Sequence, residues 1–334
     1  MVAKGVFAFD SWHYINKKYK ITTQKELQKK YKSTISPYFY ARKLHYFVTP
    51  DHIKIAYKIF KVPKQKALIV IASGRTEGMV KYQELIYDLN QNGYSVYIAD
   101  HRGQGYSQRL VADKQMGYVD NFFHYVDDLK YFVDNFVPQS KKRILLAHSM
   151  GGTIASLYVE RYQNDFNALI LSSPMFEPAI LASSMSSFLC RIVENKEHNL
   201  QRYVSGTDTY DILTYNFKGN DLTGSQERFD VMKEAFAKEP YTRIGGPSLQ
   251  WLKEACRWSA ISVKKANRIE IPILLIQAGK DSVVTASAQE EFCKRAKPYC
   301  HGITIEGAKH EMFIEKDIYR EKLLSAILDF IAKI

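Results

Sequence analysis

The sequence predicts an α/β protein with a mostly parallel, doubly wound sheet and a helical insertion. Short apolar runs that suit buried strands alternate with amphipathic segments that suit helices, and this alternation is what a parallel sheet requires. The alternation stops between residues 175 and 262 and then resumes. A chain of 334 residues is long enough for one large domain that carries such an insertion. These observations together favour one interrupted α/β domain.

The individual elements follow from hydrophobic periodicity and from turn residues. A β-hairpin is expected first, with strands at 44–48 and 53–60 around the turn Pro50-Asp51. Continuous apolar runs then predict buried strands at 67–72, 94–99, 144–146, 168–172, 273–277 and 302–305. Helical spacing predicts helices at 82–89, 122–136, 153–162 and 286–296, and a closing helix that carries Leu324, Ile327, Leu328 and Ile331.

We divide the chain into four parts. These are a basic amino-terminal extension at 1–40, a first core part at 41–174, a cap insertion at 175–262 and a second core part at 263–334. The cap insertion begins with a stretch rich in Met, Ser and Leu that includes Met185, Phe188 and Leu189, and it has helical patches at 228–238 and 249–257. We expect it to cover the carboxyl edge of the sheet as a mostly helical, separable unit.

The net charge of +12 is concentrated at the amino-terminal end. Residues 1–66 hold 15 Lys and Arg against 3 acidic residues, so the remainder of the chain is neutral. Lysines interleaved with tyrosines suit an anionic lipid surface or a nucleic acid, and a merely solubilising face is the alternative. The lysines concerned are Lys17, Lys18, Lys20, Lys25, Lys29, Lys30 and Lys32.

The four cysteines and the apolar content indicate the compartment. Cys190, Cys256, Cys293 and Cys300 match no metal-binding spacing, and we expect all four to be reduced thiols in a cytosolic protein. No apolar run approaches the length of a membrane-spanning helix, and residues 1–20 lack the apolar core of a signal peptide.

A serine lies at the point where one strand is expected to turn sharply into a helix. Ser149 follows the run 144–146, and Ala147 and Gly151 flank it at two positions' distance on either side. A tight strand-to-helix turn needs small residues at these two positions, and it presents the serine hydroxyl at the top of the sheet. The pattern therefore indicates a nucleophile, although a Gly-rich turn with a chance serine is the plainer alternative.

Two later strands deliver the partners that a serine nucleophile needs. Such a serine requires a histidine base, and the histidine requires an acid that fixes its tautomer. Asp281 follows the strand at 273–277, and His310 follows the strand at 302–305. Each of these residues alone has a plainer explanation, a capping aspartate and a loop histidine. The order Ser, Asp, His at three strand ends predicts a catalytic triad.

The reaction also needs hydrogen-bond donors for the developing oxyanion. The backbone N–H of Met150, directly after the nucleophile, is one candidate. The second is the backbone N–H of Arg75 in the loop after the first core strand, because Gly74 lets the backbone turn its amide inward. Among the other histidines, we expect His148 to be structural and His101 to brace its Gly-rich loop.

Several motifs resemble one family of enzymes. Ser73-Gly74-Arg75-Thr76-Glu77 with Lys81-Tyr82, the block Asp100 to Ser107, and the block Ala147 to Gly152 look like the monoacylglycerol lipase/lysophospholipase branch of the serine α/β-hydrolases. The Gly74-Arg75 block and the insertion segment Ile244-Gly245-Gly246-Pro247 are most similar to the bacterial lysophospholipases of type L2. The resemblance covers residues 40–334. It implies an α/β-hydrolase fold with Ser149 as nucleophile, Asp281 as acid, His310 as base, and Arg75 and Met150 as oxyanion donors.

The sequence therefore predicts a serine hydrolase that cleaves the fatty-acyl ester of a lysophospholipid or monoacylglycerol. It needs no metal or cofactor, and no nucleic-acid partner is expected. We expect a cytoplasmic protein in peripheral contact with an anionic inner-membrane surface. The alternatives are an esterase or thioesterase for small soluble acyl compounds, and a non-catalytic hydrolase-fold protein that binds a membrane or nucleic acid. One departure matters, because the branch usually has His-Gly where this chain has Ser73-Gly74.

Overall fold

A computed structural model describes residues 18–179, 190, 193, 200–209 and 216–334. Within these residues the strands form one eight-stranded sheet in the order β1-β2-β4-β3-β5-β6-β7-β8. The strands are β1 His45–Val48, β2 Lys54–Phe60, β3 Ala67–Ala72, β4 Tyr94–Ala99, β5 Arg143–His148, β6 Ala168–Ser172, β7 Ile273–Ala278 and β8 Cys300–Ile305. The predicted α/β-hydrolase fold class is confirmed, and the predicted strands recur with small shifts at their ends.

The pairing of the strands brings their carboxyl ends to one edge. The hairpin β1–β2 is antiparallel, and β2 pairs antiparallel with β4. All other neighbours are parallel. Ala72, the last residue of β3, lies opposite Ala147 of β5, and Ala278 of β7 lies opposite Ile305 of β8. Residues that follow these strands therefore meet at the same edge, where open α/β sheets bind their ligands.

Helices cover both faces of the sheet. They are α1 Gln24–Lys30, α2 Ser36–Tyr40, α3 Gln83–Gln91, α4 Phe123–Phe136, α5 Met150–Arg161, α6 Gln226–Lys238, α7 Leu249–Lys265, α8 Ala286–Arg295 and α9 Asp317–Lys333. A π-helical turn at Tyr31–Ile35 joins α1 to α2. Helix α5 begins directly after the nucleophile, three residues earlier than its apolar spacing predicts, because Gly151 and Gly152 continue the helix.

The apolar core has two layers, one on each face of the sheet. Side chains of α4, α5 and α8 pack on one face, with Phe132, Ile154 and Phe292 fully buried. Side chains of α3 and α9 pack on the other face, where Ile86 and Leu323 are fully buried. Burial of both faces explains why the central parallel strands β3, β5 and β6 are almost continuously apolar, whereas the edge strand β8 is largely accessible.

The described part of the amino-terminal region, residues 18–40, packs against the core. Leu27 is fully buried. The backbone oxygen of Thr22 accepts hydrogen bonds from Arg228 of α6 at 2.9 Å and from Arg320 of α9 at 3.2 Å. Residues 18–40 are therefore an integral layer of the fold, whereas Lys17 lies outside the described residues.

The described part of the cap insertion is also tied to the core. Phe229 and Phe236 of α6 are buried in the apolar layer that α3 and α9 form. Helix α7 packs against α5 and continues to Lys265, past the expected boundary at 262. The described residues of 175–262 therefore share buried surface with both faces of the core. Met185, Phe188 and Leu189 lie outside the described residues.

The cysteine prediction is wrong. Cys190 is bonded to Cys256, and Cys293 is bonded to Cys300, so none of the four is a free thiol. The sequence separation of 7 between Cys293 and Cys300 spans the end of α8 and the start of β8. The chain reverses there, and the two Cα atoms come within 5.2 Å. A separate finding concerns membranes: in the described part of the chain, no helix is long and apolar enough to span a bilayer.

Candidate active site

Ser149 lies in a strained turn between β5 and α5. Its φ is 51° and its ψ is −120°, a conformation that few residues other than glycine adopt. The backbone N–H of Ser149 donates to the carbonyl of Ser172 at 3.1 Å, which fixes the turn to the neighbouring strand. A Cβ at Gly151 would collide with the carbonyl group of Ala72. The turn thus explains the small residue two positions after the serine.

The structure brings the three predicted triad side chains together. His310 Nε2 lies 3.0 Å from Ser149 Oγ, and His310 Nδ1 lies 2.8 Å from Asp281 Oδ2. All three side chains are buried. Asp281 follows β7 and His310 follows β8, so two neighbouring parallel strands position the acid and the base. The arrangement suits a histidine that accepts the serine proton while the carboxylate holds its Nδ1–H.

The carboxyl group of Asp281 is held in its ionised form. Burial alone would raise its pKa, but the adjacent His310 and hydrogen bonds from two backbone amides lower it. These amides belong to Val283 and Val284, which donate to Asp281 Oδ1 at 2.9 Å and 3.1 Å. Oδ1 of Asp281 thus accepts the hydrogen bonds of the turn, and Oδ2 contacts His310. An anion in this position stabilises an imidazolium as it forms.

The two predicted oxyanion donors are backbone amides without a hydrogen-bond acceptor among the described residues. Neither the N–H of Arg75 nor that of Met150 donates to an acceptor among the described residues. Two hydrogen bonds fix the backbone of Gly74, the residue before Arg75. Gly74 N–H donates to the Glu77 carboxylate, and Gln104 Nε2 donates to the Gly74 carbonyl at 3.0 Å.

His101 has a structural role, but it braces the loop that follows β3 and not its own Gly-rich loop. Its Nε2 lies 3.0 Å from the carbonyl oxygen of Ser73, so this nitrogen carries the proton. Burial lowers the pKa of His101 to about 4, and the ring is neutral at physiological pH. The chain has Ser73 where related motifs have histidine. In this protein, His101 and Gln104 of the Gly-rich loop hold the backbone of the oxyanion loop instead.

A buried ionic cluster lies beneath the nucleophile turn, and we refer to Glu77, Lys81, His148 and Glu311 as the four-residue cluster. Lys81 Nζ contacts Glu77 at 2.6 Å and Glu311 at 2.5 Å. His148 Nδ1 lies 3.1 Å from Glu77 Oε1. Burial would lower the pKa of His148, but the two carboxylates raise it to about 9. The cluster therefore combines two carboxylates with two cations and is close to neutral overall.

Three members of this cluster have donor atoms that could hold a metal ion. The ligating atoms of Glu77, His148 and Glu311 lie within 4.8 Å of one another. The ammonium group of Lys81 already lies between the two carboxylates and supplies the positive charge that an ion would bring. The raised pKa of His148 also favours a protonated ring, which is not a metal ligand.

The sequence reasoning missed this cluster except for the structural role expected for His148. Glu77 and Lys81 are four residues apart, a spacing that often pairs opposite charges in helical turns. Glu311 directly follows the catalytic histidine candidate. These local signals were available, but only the fold shows that the two segments meet below Ser149.

A sheet of this order with a serine on a sharp strand-to-helix turn defines the α/β-hydrolases. The model of one of their families, Hydrolase_4, described as "Serine aminopeptidase, S33", matches residues 63–317, and the chain belongs to this family. The resemblance deduced from the motifs is thereby confirmed.

Curated relatives and solved structures agree with this assignment. The chain is 36% identical over 296 residues to lysophospholipase L2 of Escherichia coli (strain K12), covering 85% of this chain and 86% of that protein. It is 33% identical over 299 residues to the probable lysophospholipase L2 of Haemophilus influenzae, covering 88% and 94%. A soluble variant of monoglyceride lipase from Saccharomyces cerevisiae, solved with a substrate analogue, has a TM-score of 0.69 at 18% identity, covering 87% and 94%. This last likeness shows the fold.

Proposed function

We propose that this protein is a serine hydrolase that cleaves the fatty-acyl ester of a single-chain lipid, a lysophospholipid or a monoacylglycerol. The observation that carries the proposal is the hydrogen-bonded chain from Ser149 Oγ through His310 to Asp281. Membership of Hydrolase_4 and the similarity to lysophospholipase L2 support the same reaction and the same substrate class.

In the proposed mechanism, Ser149 Oγ attacks the ester carbonyl carbon while His310 Nε2 takes the serine proton. The Asp281 carboxylate holds the imidazolium that forms. His310 then gives this proton to the departing glycerol oxygen, and an acyl-enzyme remains. Water, activated by His310 in the same way, releases the fatty acid and restores Ser149.

The negative charge of each tetrahedral intermediate falls on the former carbonyl oxygen. We assign its stabilisation to the backbone N–H groups of Arg75 and Met150, which have no acceptor among the described residues. Donors that are already oriented cost no reorganisation when the charge develops, and one such donor is worth about 10²–10³ in kcat.

An activity panel on one acyl chain tests the proposal. Purified protein is assayed on lysophosphatidylglycerol, monoacylglycerol and a short soluble ester, with Ser149→Ala as the inactive control. A fluorophosphonate probe should label the wild-type protein and not the Ser149→Ala variant. Absence of labelling together with absence of turnover would favour a non-catalytic hydrolase-fold protein.

Chain-length dependence separates a lipid enzyme from a small-molecule esterase or thioesterase. Each additional methylene that the substrate buries contributes about 0.8 kcal/mol, so kcat/KM should rise steeply with acyl length if the cap insertion encloses the chain. A flat dependence from short to long acyl chains would favour the small-molecule alternative.

We also propose peripheral contact with an anionic membrane surface through the lysines of α1 and its approach. Lys20, Lys25 and Lys29 are exposed and have no carboxylate partner among the described residues. Lys18, Lys30 and Lys32 are exposed too, but each pairs with an acidic side chain. Each free lysine near an anionic surface contributes about 1 kcal/mol. Disulfides are typical of proteins in oxidising compartments. We therefore propose contact with a membrane surface but do not propose that the protein is cytoplasmic.

Vesicle co-sedimentation tests this contact. Changing Lys20, Lys25 and Lys29 to Gln should reduce binding to vesicles that contain phosphatidylglycerol, and high salt should do the same. Changing Lys294, Lys297 and Lys322 to Gln removes the same charge elsewhere and serves as the matched control. Equal binding by the two triple variants would mean that the lysines near α1 form only a solubilising face.

A further inference from the structure

The side chain of Arg75 extends from the oxyanion loop toward the cap insertion. Its Nη1 donates to the carbonyl oxygen of Gly245 at 2.9 Å. Its guanidinium carbon lies 5.4 Å from the ring centroid of Trp251. Gly117 lies beside this guanidinium, since a Cβ there would be in ordinary van der Waals contact with Arg75 Nη1 at 3.5 Å. One residue thus combines the amide that we propose as an oxyanion donor with a cation that contacts the cap insertion.

No carboxylate among the described residues pairs with this cation, in contrast to the buried arginines Arg102 and Arg228. Arg102 contacts Asp51 and Asp128, and Arg228 contacts Glu84 and Asp317. No described carboxylate lies within salt-bridge distance of Arg75, and burial lowers the pKa of Arg75 to about 10. A desolvated charge of this kind is costly unless a counter-charge joins it.

Two side-chain donors of Arg75 are without an acceptor among the described residues. Arg109 also lacks a carboxylate, but its three side-chain nitrogens donate to four backbone carbonyls. Nε and Nη2 of Arg75 have no acceptor among the described residues, and neither atom is completely buried. Part of the fork-shaped guanidinium is therefore available to a ligand.

The reach of this side chain matches the spacing within a lysophospholipid. In a 1-acyl glycerophospholipid, a chain of covalent bonds joins the ester carbonyl carbon to the phosphorus. The chain that joins the backbone nitrogen of Arg75 to its guanidinium carbon has the same number of bonds. An ester whose carbonyl oxygen contacts the Arg75 amide therefore has its phosphate within range of the guanidinium. A guanidinium binds two phosphate oxygens in a planar, charge-assisted pair.

Two other cations among the described residues near the triad are already engaged. Lys81 is bound between Glu77 and Glu311. Lys309 Nζ donates to the carbonyl oxygen of Asn220 at 2.5 Å. We propose that the Arg75 guanidinium binds the phosphodiester of a lysophospholipid and makes this enzyme selective for phosphate-bearing single-chain lipids over monoacylglycerol. This inference rests on the proposed function, because it assigns the headgroup of the same substrate.

The test compares substrates that differ only in the headgroup. Wild-type protein and Arg75→Gln are assayed on 1-palmitoyl lysophosphatidylglycerol and on 1-palmitoylglycerol in the same mixed micelles. The ratio of the two kcat/KM values should favour the lysophospholipid in the wild type and fall about 10- to 100-fold in Arg75→Gln. Arg75→Lys should retain part of the wild-type ratio, because lysine keeps the positive charge but lacks the planar pair of N–H donors. Arg109→Gln, which changes an arginine that only braces loops, should leave the ratio unchanged.

A proportional loss on both substrates in Arg75→Gln would make Arg75 a brace to Gly245 and overturn the inference. Preferred hydrolysis of monoacylglycerol by the wild type would overturn it too, while the single-chain lipid function would stand. If neither ester is cleaved, the proposed function is wrong. A binding experiment still tests the headgroup contact in that case. A non-hydrolysable 1-O-alkyl lysophospholipid should protect Ser149 from a fluorophosphonate at lower concentration than the matching 1-O-alkylglycerol. Equal protection by both ethers would refute the headgroup contact.

Discussion

The ring nitrogen Nε2 of His148 lies 3.3 Å from the backbone carbonyl oxygen of His310. The residue before Ser149 therefore holds the backbone of His310. Ser173 Oγ donates to the same carbonyl oxygen at 3.0 Å, so His310 is fixed from two sides. The other ring nitrogen of His148 contacts the Glu77 carboxylate, which also accepts the N–H of Gly74 in the oxyanion loop. Glu77 and His148 thus connect the loop that contains Gly74 to the backbone of His310.

Both partners of the His148 ring are acceptors, which has a consequence for its charge. A neutral imidazole has only one N–H, so it can donate to only one of the two. A protonated ring donates to both, in agreement with the raised pKa of about 9. His148 is therefore a structural cation, distinct in its role from the neutral His101.

The first prediction concerns the triad. Ser149→Ala, His310→Ala and Asp281→Asn should each lower kcat by about 10⁴–10⁶, because the three groups act as a unit. Thermal unfolding should remain cooperative, since each substitution keeps or reduces the side-chain volume. Double variants should lose little more than single ones. Retention of more than about a tenth of wild-type turnover by Asp281→Asn would mean that another group is the acid.

The second prediction concerns pH and stability. The pKa of His148 is about 9 in the folded protein and 6.5 in an unperturbed chain, so folding favours the protonated ring. The associated stabilisation is fully present below about pH 6.5, declines as the pH rises and is lost above about pH 9. It amounts to about 3 kcal/mol. Urea unfolding at pH 6 and pH 9.5 should show this loss in the wild type and a smaller loss in His148→Gln. The same pH dependence in both proteins would refute the assignment.

A third prediction concerns the buried ion pairs that join four parts of the chain. Glu84 of α3 contacts Arg228 of α6 at 3.0 Å and Arg320 of α9 at 3.3 Å, and both arginines also hold Thr22. Glu84→Gln removes the carboxylate charge that contacts the buried guanidinium groups of Arg228 and Arg320. This loss should lower the free energy of unfolding by about 3–5 kcal/mol. Glu291→Gln removes an exposed partner of Arg295 and should cost less than about 1 kcal/mol. Similar midpoints for the two variants in urea would contradict this ranking.

A fourth prediction follows from the disulfides. Denatured protein purified without reductant should show no reactive thiol, and four should appear after reduction, because both bonds together use all four cysteines. Ellman titration under both conditions gives the count. The disulfide between Cys190 and Cys256 links the start of the cap insertion to α7, so Cys190→Ser with Cys256→Ser should increase protease cleavage within 180–215. Four reactive thiols before reduction would restore the original expectation from the sequence.

The sequence alone determined the order of strands and helices and the positions of the expected triad. This succeeded because the signals are local: apolar runs predict buried strands, and the residue that follows a parallel strand lies at a known edge of the sheet. Ser149, Asp281 and His310 each follow such a strand, so their meeting required no knowledge of side-chain packing. Their catalytic roles stay predictions until they are measured.

Only the tertiary structure decided which distant groups share a buried environment. The disulfides depend on Cα distances that no spacing in the sequence reveals, and the cysteine prediction failed for that reason. The charge of His148 depends on Glu77, which is far away in sequence but adjacent to it in space. Only the structure shows that Arg75 donates to the carbonyl of Gly245 and pairs with no carboxylate among the described residues. Electrostatic energies depend on distance and burial in three dimensions, and a linear pattern of residue types contains neither.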